Sequence, residues 1–219
     1  MSYIVAVDGP AGSGKGTITK RIKEEIGLLN LDTGATYRCV ALMAIRNGLT
    51  EKDEEKIIAL LDKIKIEIEN EGNVDKIFLN GEDVTKKIRE KDVTAVVSKI
   101  SSIIPVREKM VELQRKMAEG KNVIAEGRDI GTVVFPNANL KIYLDANEEV
   151  RAKRRYKENI ASGMETTYEE VLENIKQRDK NDKEKKVGAL KKAEDAILID
   201  TSYLTIDEVV QKVKELITL

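Results

Sequence analysis

The stretch Tyr3-Ile4-Val5-Ala6-Val7-Asp8-Gly9-Pro10-Ala11-Gly12-Ser13-Gly14-Lys15-Gly16-Thr17 decides the fold. Tyr3–Val7 is an apolar run with the length of a buried strand, and Thr17–Ile26 has the periodicity of the helix that follows. Between them stand glycines at positions 9, 12, 14 and 16. A glycine-rich turn from strand to helix lets backbone N–H groups wrap phosphate oxygens, with the positive helix N-terminus behind them. Lys15 supplies a mobile charge that reaches the outer phosphates of a nucleoside triphosphate. Gly9, Pro10, Ala11, Gly12, Ser13, Gly14, Lys15, Gly16 and Thr17 are therefore candidate ATP-binding residues. The usual pattern places a hydroxyl directly after the lysine; here Gly16 intervenes and the hydroxyl moves to Thr17. Mg²⁺ is then expected to come with the nucleotide, held mostly through phosphates and water, with no direct protein ligand assigned beyond the candidate Thr17. The competing reading is a plain strand-to-helix turn with a chance lysine.

Outward from this loop, apolar runs alternate with amphipathic helical segments, the signature of an α/β fold with a parallel sheet. Val123–Ala125, Leu140–Leu144 and Ala196–Ile199 are short strand-like runs followed by Glu126, Asp145 and Asp200. Polar residues at the carboxyl ends of parallel strands lie where open α/β sheets bind ligands. Thr205 reads as the N-cap of a final helix carrying Val209, Val210, Val213, Leu216 and Ile217 on one face. One stretch breaks the alternation. Ile64, Ile66 and Ile68 alternate with charged residues, Glu71-Gly72-Asn73 turns the chain, and Ile77 and Leu79 resume before Asn80-Gly81. That is hairpin chemistry, a small antiparallel sheet inserted into the α/β core. The lysine-rich run Lys180–Lys192 is the nearest approach to a mobile segment.

Composition bounds the function. The chain has 219 residues, 41 % hydrophobic and 35 % charged, a globular balance without the roughly 20-residue apolar stretch of a membrane helix. The N-terminus enters an apolar run and a glycine turn without a basic lead, unlike a secretory signal, and the single Cys39 excludes an internal disulfide framework. A cytoplasmic location is expected. Histidine is absent, which excludes an imidazole base, a His-ligated metal and a Ser-His-Asp arrangement. Positions 151–192 carry 13 Lys/Arg against 8 Asp/Glu on a slightly negative body. That surplus suits phosphate capture, although charge alone favours a solvated helix surface. It is too small, with 4 % aromatic residues, to suggest a nucleic-acid binder.

A phosphate loop fixes a donor and leaves the reaction open. The Asn-Lys-x-Asp and Asp-x-x-Gly strings of GTP-hydrolysing switches are absent. Arginines are present instead: Arg38, Arg107, Arg128, Arg154, Arg155 and Arg178. Guanidinium groups grip phosphates bidentately and neutralise the charge of a transferring phosphoryl group, which needs positioning and electrostatics more than covalent help. Arg128 stands out, since Glu126-Gly127-Arg128-Asp129-Ile130-Gly131 follows a strand at the expected ligand edge.

Four segments carry a resemblance: Val7–Thr17, Leu31-Asp32-Thr33-Gly34-Ala35-Thr36-Tyr37-Arg38, Gly127–Pro136 and Lys191–Ala196. Together, in this order around the hairpin insertion, they resemble the bacterial cytidylate (CMP) kinase family of nucleoside monophosphate kinases along essentially the whole chain. The resemblance implies an α/β P-loop kinase core, a parallel sheet flanked by helices, with a small antiparallel β insertion and a helical lid. It implies one domain over 1–219, a monophosphate-binding insertion at about 33–98 and a mobile lid at about 151–188. It implies a transferase of pyrimidine metabolism that moves the γ-phosphoryl group of ATP to CMP or dCMP, with small-molecule substrates. Composition points to no nucleic-acid or membrane partner, and a monomer is expected because no element shows an apolar face without an evident use. Position by position, Arg38 and Arg128 match the clamps on the acceptor phosphate. Thr33 and Tyr37 match the acceptor-sugar segment, and Ser98, Arg107 and Asp129 match the cytosine readers. Arg178 and Asp182 match the lid pair on the sugar, while Arg154 and Arg155 match lid arginines that close over the transferring phosphate; Lys15, Arg128, Arg154 and Arg155 are the catalytic candidates. A kinase for UMP or a non-nucleotide acceptor, and an ATP-hydrolysing switch, are the alternatives.

The chain departs from the family pattern twice. Lys185 stands where the family has an arginine that reaches the acceptor phosphate, keeping the charge but losing the planar fork. Gly188-Ala189-Leu190 stands where Ser-Pro-Leu is common, a backbone expected to be looser and to make lid closure cost more entropy.

Overall fold

The computed structural model describes residues 2–71, 74–161 and 163–218. In chain order the first elements are β1 (Ile4–Asp8), α1 (Lys15–Ile26), β2 (Leu29–Asp32), α2 (Thr33–Arg46) and α3 (Glu54–Leu60). Next come β3 (Ile66–Glu71), β4 (Val74–Leu79), β5 (Glu82–Asp83), α4 (Lys91–Ile100) and α5 (Ile104–Ala118). Then follow β6 (Val123–Gly127), β7 (Leu140–Asp145), α6 (Glu148–Ala161), α7 (Tyr168–Glu184), β8 (Ile197–Asp200) and α8 (Ile206–Leu216).

β1 is central in a five-stranded parallel sheet ordered β2-β6-β1-β7-β8. Val5, Ala6 and Val7 are all buried, as a continuous apolar run requires when helices cover both faces. On one face Ile18 and Ile22 of α1 and Val209, Val210 and Val213 of α8 pack against Val5, Val7, Ile142 and Leu144. On the other, Val111 and Ala118 of α5 close over Ala6, Leu31 and Ala125. Parallel strands put their carboxyl ends on one edge, so Asp8, Asp32, Glu126, Asp145 and Asp200 share it.

The antiparallel insertion is present, ordered β3-β4-β5, with Ile66 opposite Leu79 and Ile68 opposite Ile77. Gly72 and Asn73 of the expected turn lie outside the described residues. Ile64 falls outside β3, at the end of a short 3₁₀ turn, so the strand starts later than alternation alone suggests. The insertion has an apolar centre of its own, in which Cys39, Val40 and Ala44 of α2 meet Ile57, Ile77, Leu79, Ile88, Val93 and Met110. It is tied to the α/β core by Asp75 of β4, which accepts from Lys23 Nζ at 2.6 Å and Asn30 Nδ2 at 2.8 Å.

α6 and α7 form a helical hairpin. Ala152, Val171 and Ile175 make its small core, and Tyr156 meets Tyr168 edge-to-face at 6.4 Å. The buried stripe of α7 continues from Val171 and Ile175 into Asp179 and Asp182 at the same helical spacing. The basic run from Lys180, expected to be the least ordered, is helical through Glu184 and is tied down beyond it by Leu190 N–H, which donates to the Asp182 carbonyl at 2.7 Å.

Candidate active site

The glycine-rich loop is shaped by what presses on it. Gly9 has φ +151, and a Cβ there would lie 2.0 Å from the Leu144 carbonyl oxygen of β7, so only glycine lets the chain turn this close beneath the neighbouring strand. Gly14, in the left-handed conformation, caps α1, which therefore begins at Lys15, two residues before the helix read from sequence. Buried Arg151 of α6 braces the loop from outside: Nη1 donates to the Ala11 carbonyl at 3.1 Å, Nε to the Ala146 carbonyl at 2.8 Å, and Nη2 pairs with Asp179 at 2.7 Å. Thr201 Oγ1 donates to the Ser13 carbonyl at 3.2 Å. Neither Arg151 nor Asp179 stands out in the sequence, because a brace is defined by what it touches.

Lys15 is buried, and its ammonium folds back onto the loop, donating to the carbonyls of Gly9 and Pro10 at 2.8 and 2.7 Å. Burial, then the nearby Arg128 charge, holds it well below the ordinary lysine range. Arg128, after β6, gives its Nε to Asp182 at 2.9 Å. Arg178 of α7 is brought beside it, and burial followed by Arg128, with Arg38 and Arg155 also contributing, lowers the Arg178 guanidinium to about 10. Asp182 is pushed up by burial, but Arg128, Lys185 and Arg178 together hold it below the usual carboxylate range. Cations from the loop, the β6 end, α2 and the α6–α7 hairpin are thus brought together, close enough to lower one another's pKa despite Asp182 and Glu126 beside them. Such a field attracts a polyanion.

A second cluster adjoins it. Arg107 of α5 and Asp129 form a buried ion pair through Nη2 and Oδ2. Arg107 Nη1 also donates to the Ser101 carbonyl at 3.2 Å, and its guanidinium lies 5.3 Å from the Tyr37 ring centroid. Burial raises Asp129 above the ordinary aspartate range although Arg107 pulls the other way. Burial likewise pushes the Tyr37 hydroxyl to about 12. Gly188, at φ +66, rests on this pair: a Cβ there would come within 1.9 Å of Arg107 Nη2 and 2.5 Å of Asp129 Oδ2. The segment expected to be loose is therefore packed, and Gly188 is the residue that lets it approach. Lys185 reaches Asp182 and Ser101 Oγ, each at 3.2 Å.

The sequence family model that matches residues 5–219 is that of cytidylate kinase. The chain belongs to the cytidylate kinase family. Among proteins named cytidylate kinase, one from Caldicellulosiruptor bescii is 46 % identical over 97 % of this chain and 94 % of its own length. One from Streptococcus pneumoniae strain 70585 is 47 % identical over 96 % and 95 %, and one from Geobacillus sp. strain WCH70 is 45 % identical over 97 % and 95 %. A solved structure of an uncharacterized protein from Eubacterium ventriosum, 12 % identical and covering 98 % of each chain, has a TM-score of 0.53, a likeness of fold alone.

As this cytidylate kinase family member stands, the residues singled out in the sequence divide into groups. Lys15, Arg38, Arg128, Arg155, Arg178, Asp182 and Lys185 gather at the cationic cleft, and Tyr37, Arg107 and Asp129 at the adjoining cluster. Arg38 is anchored through Nη1 to the Ile88 carbonyl and Thr94 Oγ1, at 3.1 and 2.9 Å. Arg155 is half exposed and paired with Glu158 at 3.2 Å. Ser98 enters through its backbone, its carbonyl accepting from Ser101 and Ser102, each at 2.9 Å. Two side chains point elsewhere than expected. Thr33 donates its hydroxyl to the Glu126 carbonyl at 2.7 Å, so it joins α2 to β6 and does not present a free hydroxyl. Arg154 donates to the Thr201 hydroxyl and carbonyl at 3.1 and 2.6 Å, behind the loop instead of over the cleft. Its pKa is lowered chiefly by burial, with Asp200 opposing.

Glu126, marked in the sequence only as a strand end, stands close to the phosphate loop. Its carboxylate would lie 3.1 Å from a Cβ on Gly16, hard against the start of α1. Burial, reinforced by Asp32, raises it to about 7. Glu126, Asp32 and Gly16 line a cavity of about 180 Å³ together with Arg89 and Lys20. The only hint in sequence was its place at a strand end.

Proposed function

We propose that this chain moves the γ-phosphoryl group of ATP to CMP or dCMP, giving ADP and CDP or dCDP, with the donor on Gly9–Thr17 and the acceptor against the β6 end. The observation that carries the reading is the convergence of Lys15, Arg38, Arg128 and Arg178 beside the buried Arg107–Asp129 pair. The cations suit two phosphate chains meeting head-on, and the pair suits a base edge. Cytosine offers an amino donor beside a ring-nitrogen acceptor, which a carboxylate and a guanidinium can both address.

Each side chain then has a task. An oxygen of the acceptor phosphate attacks the γ-phosphorus while the bond to the β–γ bridging oxygen breaks, and ADP leaves with that electron pair. The attacking phosphate is already anionic at neutral pH, so no histidine or other base is required. Lys15 exchanges its carbonyl partners for donor phosphate oxygens, and Arg128 and Arg178 neutralise charge spread over the transferring group. Arg38 holds the acceptor phosphate from the insertion at about 33–98. The hairpin at about 151–188 excludes water, with Arg155 at its inner rim and Asp182 and Lys185 at its foot. Arg154, on Thr201 behind the loop, serves the donor's far side.

A divalent cation fits the donor set. Thr17 is exposed at the first turn of α1, and Glu126 and Asp32 put two carboxylates on the adjacent cavity. Among the described residues no three Asp, Glu or Cys side chains converge to hold a metal. Mg²⁺ ordinarily keeps waters and phosphate oxygens around it and takes one or two carboxylates from the protein. When bound, it would offset the negative charge of the donor phosphates.

The test is ADP release from ATP across a panel of monophosphates, with Lys15→Ala as the negative control. CMP and dCMP are expected to be the fastest acceptors, and the variant to fail with all of them. A faster UMP would overturn the cytosine assignment, and no stimulation by any monophosphate would overturn the kinase reading.

A further inference from the structure

Asp8 is the last residue of β1 and immediately precedes the glycine-rich loop. Its hydrogen bonds run to the chain after β6, while its charge also acts on Lys15 of the loop. Oδ1 accepts the N–H of Ile130 at 2.7 Å and Oδ2 accepts the N–H of Gly131 at 2.8 Å. The residue is 4 % exposed, and Ile130 and Gly131 are buried with it.

Ile130–Val134 is a single wide π-type helical turn, and no side chain of its own caps it. The first N–H groups of any helical turn lack partners within it, and buried N–H groups left unpaired are costly. Asp8 fills that place from 122 residues away in sequence. It caps with a full negative charge, which the positive end of the turn favours. Arg128 and Asp129 stand directly before this turn, so the capped backbone is the base from which both project. Gly131 also has no room for more: a Cβ there would lie 3.1 Å from Lys141 Cδ and 3.4 Å from Asp8 Oδ2. The turn is held from both sides.

We propose that Asp8 is a positioning residue for acceptor selection: its carboxylate fixes the turn that presents Arg128 and Asp129, in register with the phosphate loop that begins at Gly9. Each carboxylate oxygen accepts one backbone N–H, so both are held by the turn. One short side chain thus joins the donor loop to the acceptor turn, and a shift of either displaces the other. The inference rests on the assignment of Arg128 and Asp129 to the acceptor.

The experiment is Asp8→Asn, assayed with CMP and UMP in parallel with wild type. Asparagine keeps the shape but turns an N–H₂ group toward one of the two N–H donors, so one cap bond becomes a repulsion. The expected result is a loss of kcat/KM for CMP of roughly 10- to 100-fold, most of it in the KM for CMP. The CMP-to-UMP preference narrows, and the affinity for ATP measured without acceptor stays near wild type. An unchanged CMP-to-UMP ratio, or an equal loss of ATP affinity, overturns the proposal. If the variant does not fold, amide hydrogen exchange of the wild-type protein decides. Ile130 and Gly131 N–H groups should exchange only with global opening, and exchange at the rate of exposed loops overturns it. Should wild type not prefer CMP at all, the acceptor assignment fails independently of Asp8.

Discussion

Replacing Asp129 by alanine separates recognition from stability in a way the structure makes quantitative. Arg107 and Asp129 have side chains only 5 % and 6 % exposed, and each is the other's counter-charge. Removing the carboxylate leaves a guanidinium inside the protein with the Ser101 carbonyl and the Tyr37 ring as its remaining partners. Breaking a buried pair from one side costs about 3–5 kcal/mol, a large part of the roughly 5–15 kcal/mol that holds a domain together. At about 2–4 °C per kcal/mol for a chain of this size, Tm should fall by roughly 6–20 °C. Urea unfolding and calorimetry measure that loss. A steady-state assay at a temperature where the variant is folded measures the CMP-to-UMP ratio, which should narrow. The double variant Arg107→Met/Asp129→Leu removes both charges and fills the space with apolar atoms. It should recover most of the stability while leaving the ratio narrowed. A cost of under about 1 kcal/mol for Asp129→Ala, the size of an ordinary surface change, would rule out a structural ion pair. So would a double variant no more stable than the single one, and a CMP-to-UMP ratio that stays at its wild-type value would refute the role in recognition.

Lys185→Arg should lower the KM for CMP by roughly fivefold, the equivalent of about 1 kcal/mol for one added hydrogen bond from a planar fork. An unchanged or higher KM in steady-state kinetics would count against placing that position on the acceptor. Stability should also depend on pH in a particular direction. Burial raises Asp8 to about 6 and Glu126 to about 7, whereas in the unfolded chain they ionise near 3.8 and 4.5. Between about pH 4 and 7 the folded chain binds more protons than the unfolded one, so these two groups make stability fall as pH rises through that window. Urea midpoints at pH 5.0 and 7.5 should show a smaller drop for Glu126→Gln than for wild type; equal drops would remove Glu126 as a cause.

The sequence by itself determined the α/β core, the phosphate loop, the antiparallel insertion and most of the residues that gather around Arg128 and the Arg107–Asp129 pair. These rest on local rules. Glycines set a strand-to-helix turn, alternation at Ile66, Ile68, Ile77 and Leu79 sets a hairpin, and strand ends set where polar residues gather. Boundaries moved by a residue or two, at Gly14 where a cap intervenes and at Ile64 where a 3₁₀ turn precedes the strand. What the tertiary structure decided was the partner of each polar group. Thr33 and Arg154 have the residue types of substrate contacts, yet their donors are taken by the Glu126 carbonyl and by Thr201. Gly188 reads as a loose position and is instead the closest packed against the Arg107–Asp129 pair. Arg151 and Asp179 carry no motif, and the partners of Asp8 and Glu126 are not written in the motifs that contain them, because these roles come from burial and from neighbours more than 25 residues distant. Asp8 precedes the phosphate loop in sequence, yet its carboxylate caps the turn at Ile130 and Gly131. A hydrogen-bonding group in a buried site must be paired by whatever the fold brings to it, and sequence spacing does not record that.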